Sequence, residues 1–151
     1  MMRAVRQRNT LPERSVAETI RRLGRSYRLN SSSLPGSPDI SNRSKSWAIF
    51  VNGCFWHGHK NCSKTKGGAF SRVPVTRSDF WSEKLRANRS RDARKCRELR
   101  RLGLRVAIVW ECELIDRLAI EVRLARFLSS AEASKTRRGV DPRKGSHGKP
   151  H

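Results

Sequence analysis

The segment Gly53–Cys62, GCFWHGHKNC, constrains this chain more than any other. Cys54, His59 and Cys62 stand in a C-x4-H-x2-C spacing, which puts three zinc-type donors in one short loop. Structural zinc takes four thiolate or imidazole ligands in a closed tetrahedron, so a fourth must come from elsewhere. Cys112 is the natural candidate. It follows LRVAIVW, a strand expected to lie beside WAIFVNG, so that two strand ends on one edge carry ligands. His57 sits only two residues from His59 and cannot easily join the same site, which leaves it for another role. Cys96 falls on the apolar side of a helix and is expected to be a packed thiol.

Zinc does not explain the two aromatics inside the loop, Phe55 and Trp56. Charge points to a partner. Among 151 residues, Lys plus Arg number 34 against 13 acids, a formal net charge of +21. Such an excess repels itself unless an anion compensates it, so nucleic acid or another polyanion is expected. No apolar run is long enough to span a membrane, and MMRAVRQRNT lacks the apolar core of a signal peptide. The expectation is a cytoplasmic protein with no membrane partner, whose cysteines serve as metal ligands rather than disulfides.

Periodicity supplies the framework. NTLPERSVAETIRRLG reads as a helix capped by Asn9 or Thr10 and stopped by Gly24, with Leu11, Val16, Ile20 and Leu23 as its apolar stripe. SSSLPGSPDI is turn chemistry that delivers Asp39 to a short extended piece. WAIFVNG reads as a buried strand. VPVTRSDFWSEKLRANRSRDARKCRELRRLG reads as a turn and a long helix, capped by Ser78 and stopped by Gly103. Its sparse apolar side carries Phe80, Leu85, Cys96, Leu99 and Leu102. ELIDRLAIEVRLARFLSS reads as a final amphipathic helix with Leu114, Leu118, Val122, Ala125 and Leu128 facing the core, as do Trp47 and Trp110 in their strands. The composition then turns polar and basic. The expected organisation is one α/β domain over residues 1–130, with a small mixed β-sheet flanked by helices, and a basic, disordered tail over residues 131–151.

The motifs LPGSPDI, IFVNGCFWHGHKNC, VPVTRSDFWSEKLRANRSRD and LGLRVAIVWECEL together resemble the very-short-patch-repair (Vsr) mismatch endonucleases, in that family's order, from about Met2 to Leu114. The resemblance implies a restriction-endonuclease-like core, a structural zinc and a magnesium requirement. It implies a nick on the 5′ side of the thymine in a T:G mismatch, the product of 5-methylcytosine deamination. By the same resemblance Asp39 is the magnesium-binding carboxylate, Val51 offers its backbone carbonyl to that ion, and His57 works beside the attacking water. Glu13 on the first helix joins the site, and Cys54, His59, Cys62 and Cys112 hold zinc. Phe55, Trp56 and Trp81 match the aromatics that wedge into the base stack. Asn52 stands where some members carry a second active-site histidine. The implied partner is double-stranded DNA bound by a monomer, with functional coupling to a cytosine methyltransferase and repair proteins.

The residue types suit these roles on their own chemistry. Magnesium prefers a few hard oxygen ligands, as one carboxylate and one carbonyl would provide. A histidine near neutrality can hold or accept a proton from the nucleophile. Read without the resemblance, Asp39 also fits an ordinary turn aspartate and Glu13 an ordinary first-turn acid. Aromatic wedges unstack a mismatched step more cheaply than a matched one. Thr76 and Arg77, just before Phe80 and Trp81, are placed for base or phosphate contacts, and KLRANRSRDARKCRELRR supplies phosphate-binding cations. Two alternatives share these features: a non-catalytic zinc module that binds distorted DNA, and a same-fold nuclease with another target.

Overall fold

The computed structural model describes residues 10–54 and 78–139. Helix α1 spans Leu11–Arg22; Thr10 caps it by accepting from the Glu13 N–H, with Pro12 in the first turn. Val16 and Ile20 are fully buried, whereas Leu11 at the helix start is exposed. Helix α2 spans Ser78–Arg101. It closes with two back-bonds, from the Gly103 N–H to the Arg100 carbonyl and from the Leu104 N–H to the Leu99 carbonyl. The φ of +88° at Gly103 is what this left-handed stop requires.

Four strands form one sheet in the order β1-β2-β3-β4: Arg28–Leu29, Ile40–Asn42, Trp47–Asn52 and Arg105–Trp110. The first three pair antiparallel and β3 pairs parallel with β4, giving a small mixed sheet. The two-residue β1 escapes sequence reading because both its residues are exposed and carry no pattern. Alternate residues of the sheet feed two cores. Trp47, Ile49, Ala107 and Val109 pack with Val16 and Ile20 of α1 and with Ile120, Leu124 and Leu128. Ala48 and Phe50 pack with Cys96 and Leu99 of α2, together with Leu34. With both faces covered, β3 is an unbroken apolar run rather than an alternating one. The architecture is thus a single α/β domain with helices on both sides of the sheet.

Three sequence expectations shift. A 3₁₀ turn, Glu111–Ile115, follows β4, and helix α3 starts only at Arg117 and runs to Gly139. Asp116 caps α3 by accepting from the Ala119 N–H, and of the expected stripe Leu128 is core and Leu114 packs against it. Ile120, Leu124, Leu128 and Ala131 face inward, while Leu118 (77% exposed) and Val122 (51%) face out. The expected tail boundary at residue 131 falls inside α3. Ala131 is buried in the main core, and Glu132 forms an ion pair with Arg25. Buried Ala131 and the ion pair from Arg25, in the loop after α1, hold α3 against the domain past Ser130. Residues 140–151 lie outside the described residues. On α2, Phe80 and Leu102 are exposed, and only Leu85, Cys96 and Leu99 of the expected side are buried. Burial pushes the Cys96 thiol upward in pKa, with smaller opposing effects from Arg100 and Lys95 and a reinforcing one from Asp92. Among the described residues no helix is long and apolar enough to cross a membrane.

Candidate active site at the C-terminal ends of the parallel strands

The β2–β3 ladder ends at the pair Ile40–Ile49. One step further, the side chain of Asp39 replaces the missing backbone partner, and its Oδ2 accepts from the Val51 N–H at 2.7 Å. The Asp39 carbonyl accepts from the Asn30 N–H at 3.0 Å, so the residue is tied by its backbone to the residue just after β1 and by its carboxylate to β3. In an extended strand the N–H and C=O of one residue point to the same edge. The Val51 carbonyl therefore faces the same edge as the Asp39 carboxylate.

The turn before Asp39 is built to present it. Gly36 and Ser37 both adopt left-handed φ values, +73° and +47°, and Pro38 is fully buried. A Cβ on Gly36 would lie 2.5 Å from Cγ of Lys95 on α2. The LPGSPD turn thus needs glycine twice over, for its backbone angle and for its contact with α2.

Strands β3 and β4 pair in register to their last residues, Asn52 with Trp110. Two residues beyond each end stands a cysteine, Cys54 and Cys112. Both are buried, at 0% and 3% exposure, and they share one small cluster packed against the half-buried Trp110. Trp110 therefore covers the cysteine pair and does not join the main core. Neither cysteine forms a disulfide. His59 and Cys62 lie outside the described residues, as do Phe55, Trp56, His57, Thr76 and Arg77. Among the described residues no three candidate metal donors form a group.

A clamp that sequence reading missed holds the 3₁₀ turn carrying Cys112. Glu113 accepts from the Trp110 N–H at 2.7 Å. Arg123 of α3 donates to both Glu113 oxygens, at 2.8 and 2.9 Å, and to the Ile108 carbonyl at 2.9 Å. These bonds fasten the end of β4, the cysteine turn and α3 into one unit. The only sequence signal is a carboxylate next to a candidate ligand, which is too common to single out.

The other expected residues are spread around this corner. Glu13 is buried in the first turn of α1, a helix that packs on β3 and on the 3₁₀ turn. Asn52 is buried at the end of β3. Trp81 lies in the first turn of α2, edge-on to Phe80 at 5.5 Å, with the Lys84 ammonium 5.5 Å from its ring centre. Phe80 is half-exposed, so an aromatic and cationic surface opens at this helix start.

Comparison with known proteins identifies the arrangement. The family model described as DNA mismatch endonuclease Vsr matches residues 1–64. A protein named type II nicking enzyme V.XorIIP, from Xanthomonas oryzae pv. oryzae, is 44% identical over 128 residues, covering 85% of this chain and 89% of its own length. The DNA mismatch endonuclease Vsr of Escherichia coli is 42% identical over 116 residues, covering 77% of this chain and 70% of its own. A type II nicking enzyme of Neisseria meningitidis, V.NmeAIP, is 34% identical over 85% of this chain and 86% of its own. Similarity of this extent, spanning both the Asp39 turn and the two cysteine-bearing strand ends, places the chain in the Vsr family of DNA mismatch endonucleases.

Proposed function

We propose that this endonuclease nicks one DNA strand 5′ to the thymine of a T:G mismatch, using magnesium at Asp39 and Val51 and a structural zinc held by Cys54, His59, Cys62 and Cys112. The observation that carries the reading is the Asp39–Val51 bond. It holds a carboxylate and a strand-end carbonyl on one edge, the hard oxygen donors that magnesium prefers. When bound there, magnesium supplies Lewis-acid stabilisation of the charge that develops on the phosphate and the leaving oxygen.

The chain's own residues do the rest. Asp39 fixes the depth at which a phosphate meets the sheet edge. Glu13, buried at the start of α1, orients the nucleophilic water, and His57 takes up its proton. Phe55, Trp56 and Trp81 open the mismatched step, while Thr76 and Arg77 hold the strand beside it. Selectivity for T:G follows from the weaker stacking of a wobble pair, which lowers the cost of the wedge.

Zinc has support from the thiol pair. Cys54 and Cys112, both buried at adjacent strand ends, are half of a closed thiolate and imidazole set. Zinc there would hold the loop that carries Phe55, Trp56 and His57, with no part in the chemistry. The relatives named as nicking enzymes support single-strand cleavage, which one monomer can perform. Coupling to a cytosine methyltransferase and to repair proteins is part of the same proposal.

The test is incubation of the purified protein with a T:G duplex and its matched control, with and without magnesium, beside Asp39→Ala. A magnesium-dependent nick confined to the mismatched thymine strand and lost in the variant is expected. Equal cutting of both duplexes would move the target elsewhere, and binding without any nick would leave a DNA-binding module.

A further inference from the structure

The cleft beneath the β1–β2 edge has no part in the site above. It encloses about 650 Å³ and is lined by Arg28, Arg43 and the hydroxyls of Ser31, Ser33, Ser41 and Ser44, with no carboxylate among its lining residues. Arg28 stands opposite Ser41 across the β1–β2 ladder, and Ser41 stands opposite Ala48, so these side chains share the α2 face of the sheet. The guanidinium groups of Arg28 and Arg43 have no hydrogen-bond or ion-pair partner among the described residues.

The hydroxyls leave a donor over. Ser31 Oγ and Ser41 Oγ lie 2.8 Å apart, and Ser41 is buried. Each hydroxyl has one proton and only one can lie between them, so the second needs another acceptor. The floor is stiff: Asn42 Nδ2 donates to the Ser26 carbonyl, and Asn42 Oδ1 accepts from Ser44 Oγ and the Lys45 N–H. Two guanidiniums with no partner among the described residues, a surplus hydroxyl proton and no competing acid make a cleft that wants oxyanion acceptors.

We propose that this cleft binds a phosphate group. Its strand end is four residues along β3 from Val51, about 13 Å at strand spacing. A duplex engaged at Asp39 can reach it within a fraction of a helical turn, so a backbone phosphodiester flanking the cleavage site is the source favoured over free phosphate. The phosphate site stands without the nuclease reading; only the DNA source rests on it.

The test compares the native protein with Arg28→Gln/Arg43→Gln and with a charge-matched control, Arg21→Gln/Arg126→Gln. In the first arm inorganic phosphate is added at constant ionic strength and the melting temperature is followed. The native protein and the control are expected to rise, and the cleft variant to stay flat. In the second arm binding is measured without magnesium on a short duplex centred on the mismatch and on one long enough to cover the cleft. On the long duplex the slope of log K against log salt is expected to fall by about one for each phosphate that the variant no longer neutralises, with no change on the short one. A phosphate response without a slope change keeps the site and makes free phosphate its ligand. A phosphate response in a protein that binds neither duplex keeps the site and overturns the nuclease reading. Identical behaviour of the cleft variant and the control in both arms overturns the site.

Discussion

Asp39 accepts from the Val51 N–H at 2.7 Å, so the carboxylate proposed to hold magnesium is also the group that completes the end of β3. These two duties separate by substitution. Asp39→Ala leaves the Val51 N–H without its acceptor, at a cost of about 1–3 kcal/mol, whereas Asp39→Asn retains an amide oxygen for that bond. Both variants are expected to lose nicking, but only Asp39→Ala should lose stability. Urea titrations beside a nicking assay check this, and an active Asp39→Asn protein would remove the metal role.

The buried pair Cys54 and Cys112 is the sheet's share of the proposed zinc site. Elemental analysis is expected to find about one zinc per chain, as a single closed tetrahedral site requires. Cys112→Ser should lose it and unfold the domain, because the binding energy of a structural zinc is folding energy. A folded Cys112→Ser protein with full zinc would show that the fourth ligand is another residue.

The Glu113–Arg123 clamp holds the Cys112 turn from outside. Both side chains are partly exposed, so the ion pair is weak on its own. With the bonds to Trp110 N–H and the Ile108 carbonyl added, Arg123→Gln should cost about 1 kcal/mol. It should also speed zinc release to a chelator, followed by a colorimetric zinc dye. Unchanged release would confine the clamp to general stability.

Gly36→Ala should destabilise the fold by about 1–2 kcal/mol from its left-handed φ alone. The close approach of Lys95 adds to this. Adding Lys95→Ala removes the Cγ and Cδ contacts but leaves Cβ 2.7 Å from the new methyl group, so thermal melts of the double variant should show only partial recovery.

Cys96 is buried on the α2 side, and desolvation raises its thiol above the ordinary value of 9.0. In the native protein it should resist alkylation at neutral pH. The sign of the linkage follows from the raised pKa. Its contribution to stability is full below pH 9 and is lost as pH rises from 9.0 through the higher folded value. Denaturation midpoints followed upward from pH 9.0 should therefore fall less steeply for Cys96→Ala than for the native protein. Equal slopes would place the thiol in contact with water.

Much of the framework is legible in the sequence because its signals are local. Thr10 and Gly24 bound α1, Gly103 stops α2, and the apolar runs of β3 and β4 belong to strands covered on both faces. The stripe of α3 is not legible in the same way, because Leu118 and Val122 fit a helical period as well as Ile120 and Leu124 do. The choice between them is made by docking, since Ile120, Leu124 and Leu128 pack with α1 and the sheet. The helix also outruns the boundary that composition implies, because composition is an average, and one buried alanine and one ion pair hold it against the domain.

The sequence by itself determined the residue types available to the site: a C-x4-H-x2-C loop, an aspartate after an LPGSP turn, aromatics beside cations and an excess of positive charge. Spacing within a loop or a helical turn is fixed by covalent geometry and so can be read from the chain. The meeting of Cys54 with Cys112 is already an expectation from the two strands; tertiary structure alone decided the register that buries them together, the closing of the Asp39 carboxylate onto the Val51 N–H, and the reach of Arg123 back to Glu113 and the Ile108 carbonyl. Each of these depends on strand register or helix docking. Both are set by the burial of side chains distant in sequence, which no local pattern encodes.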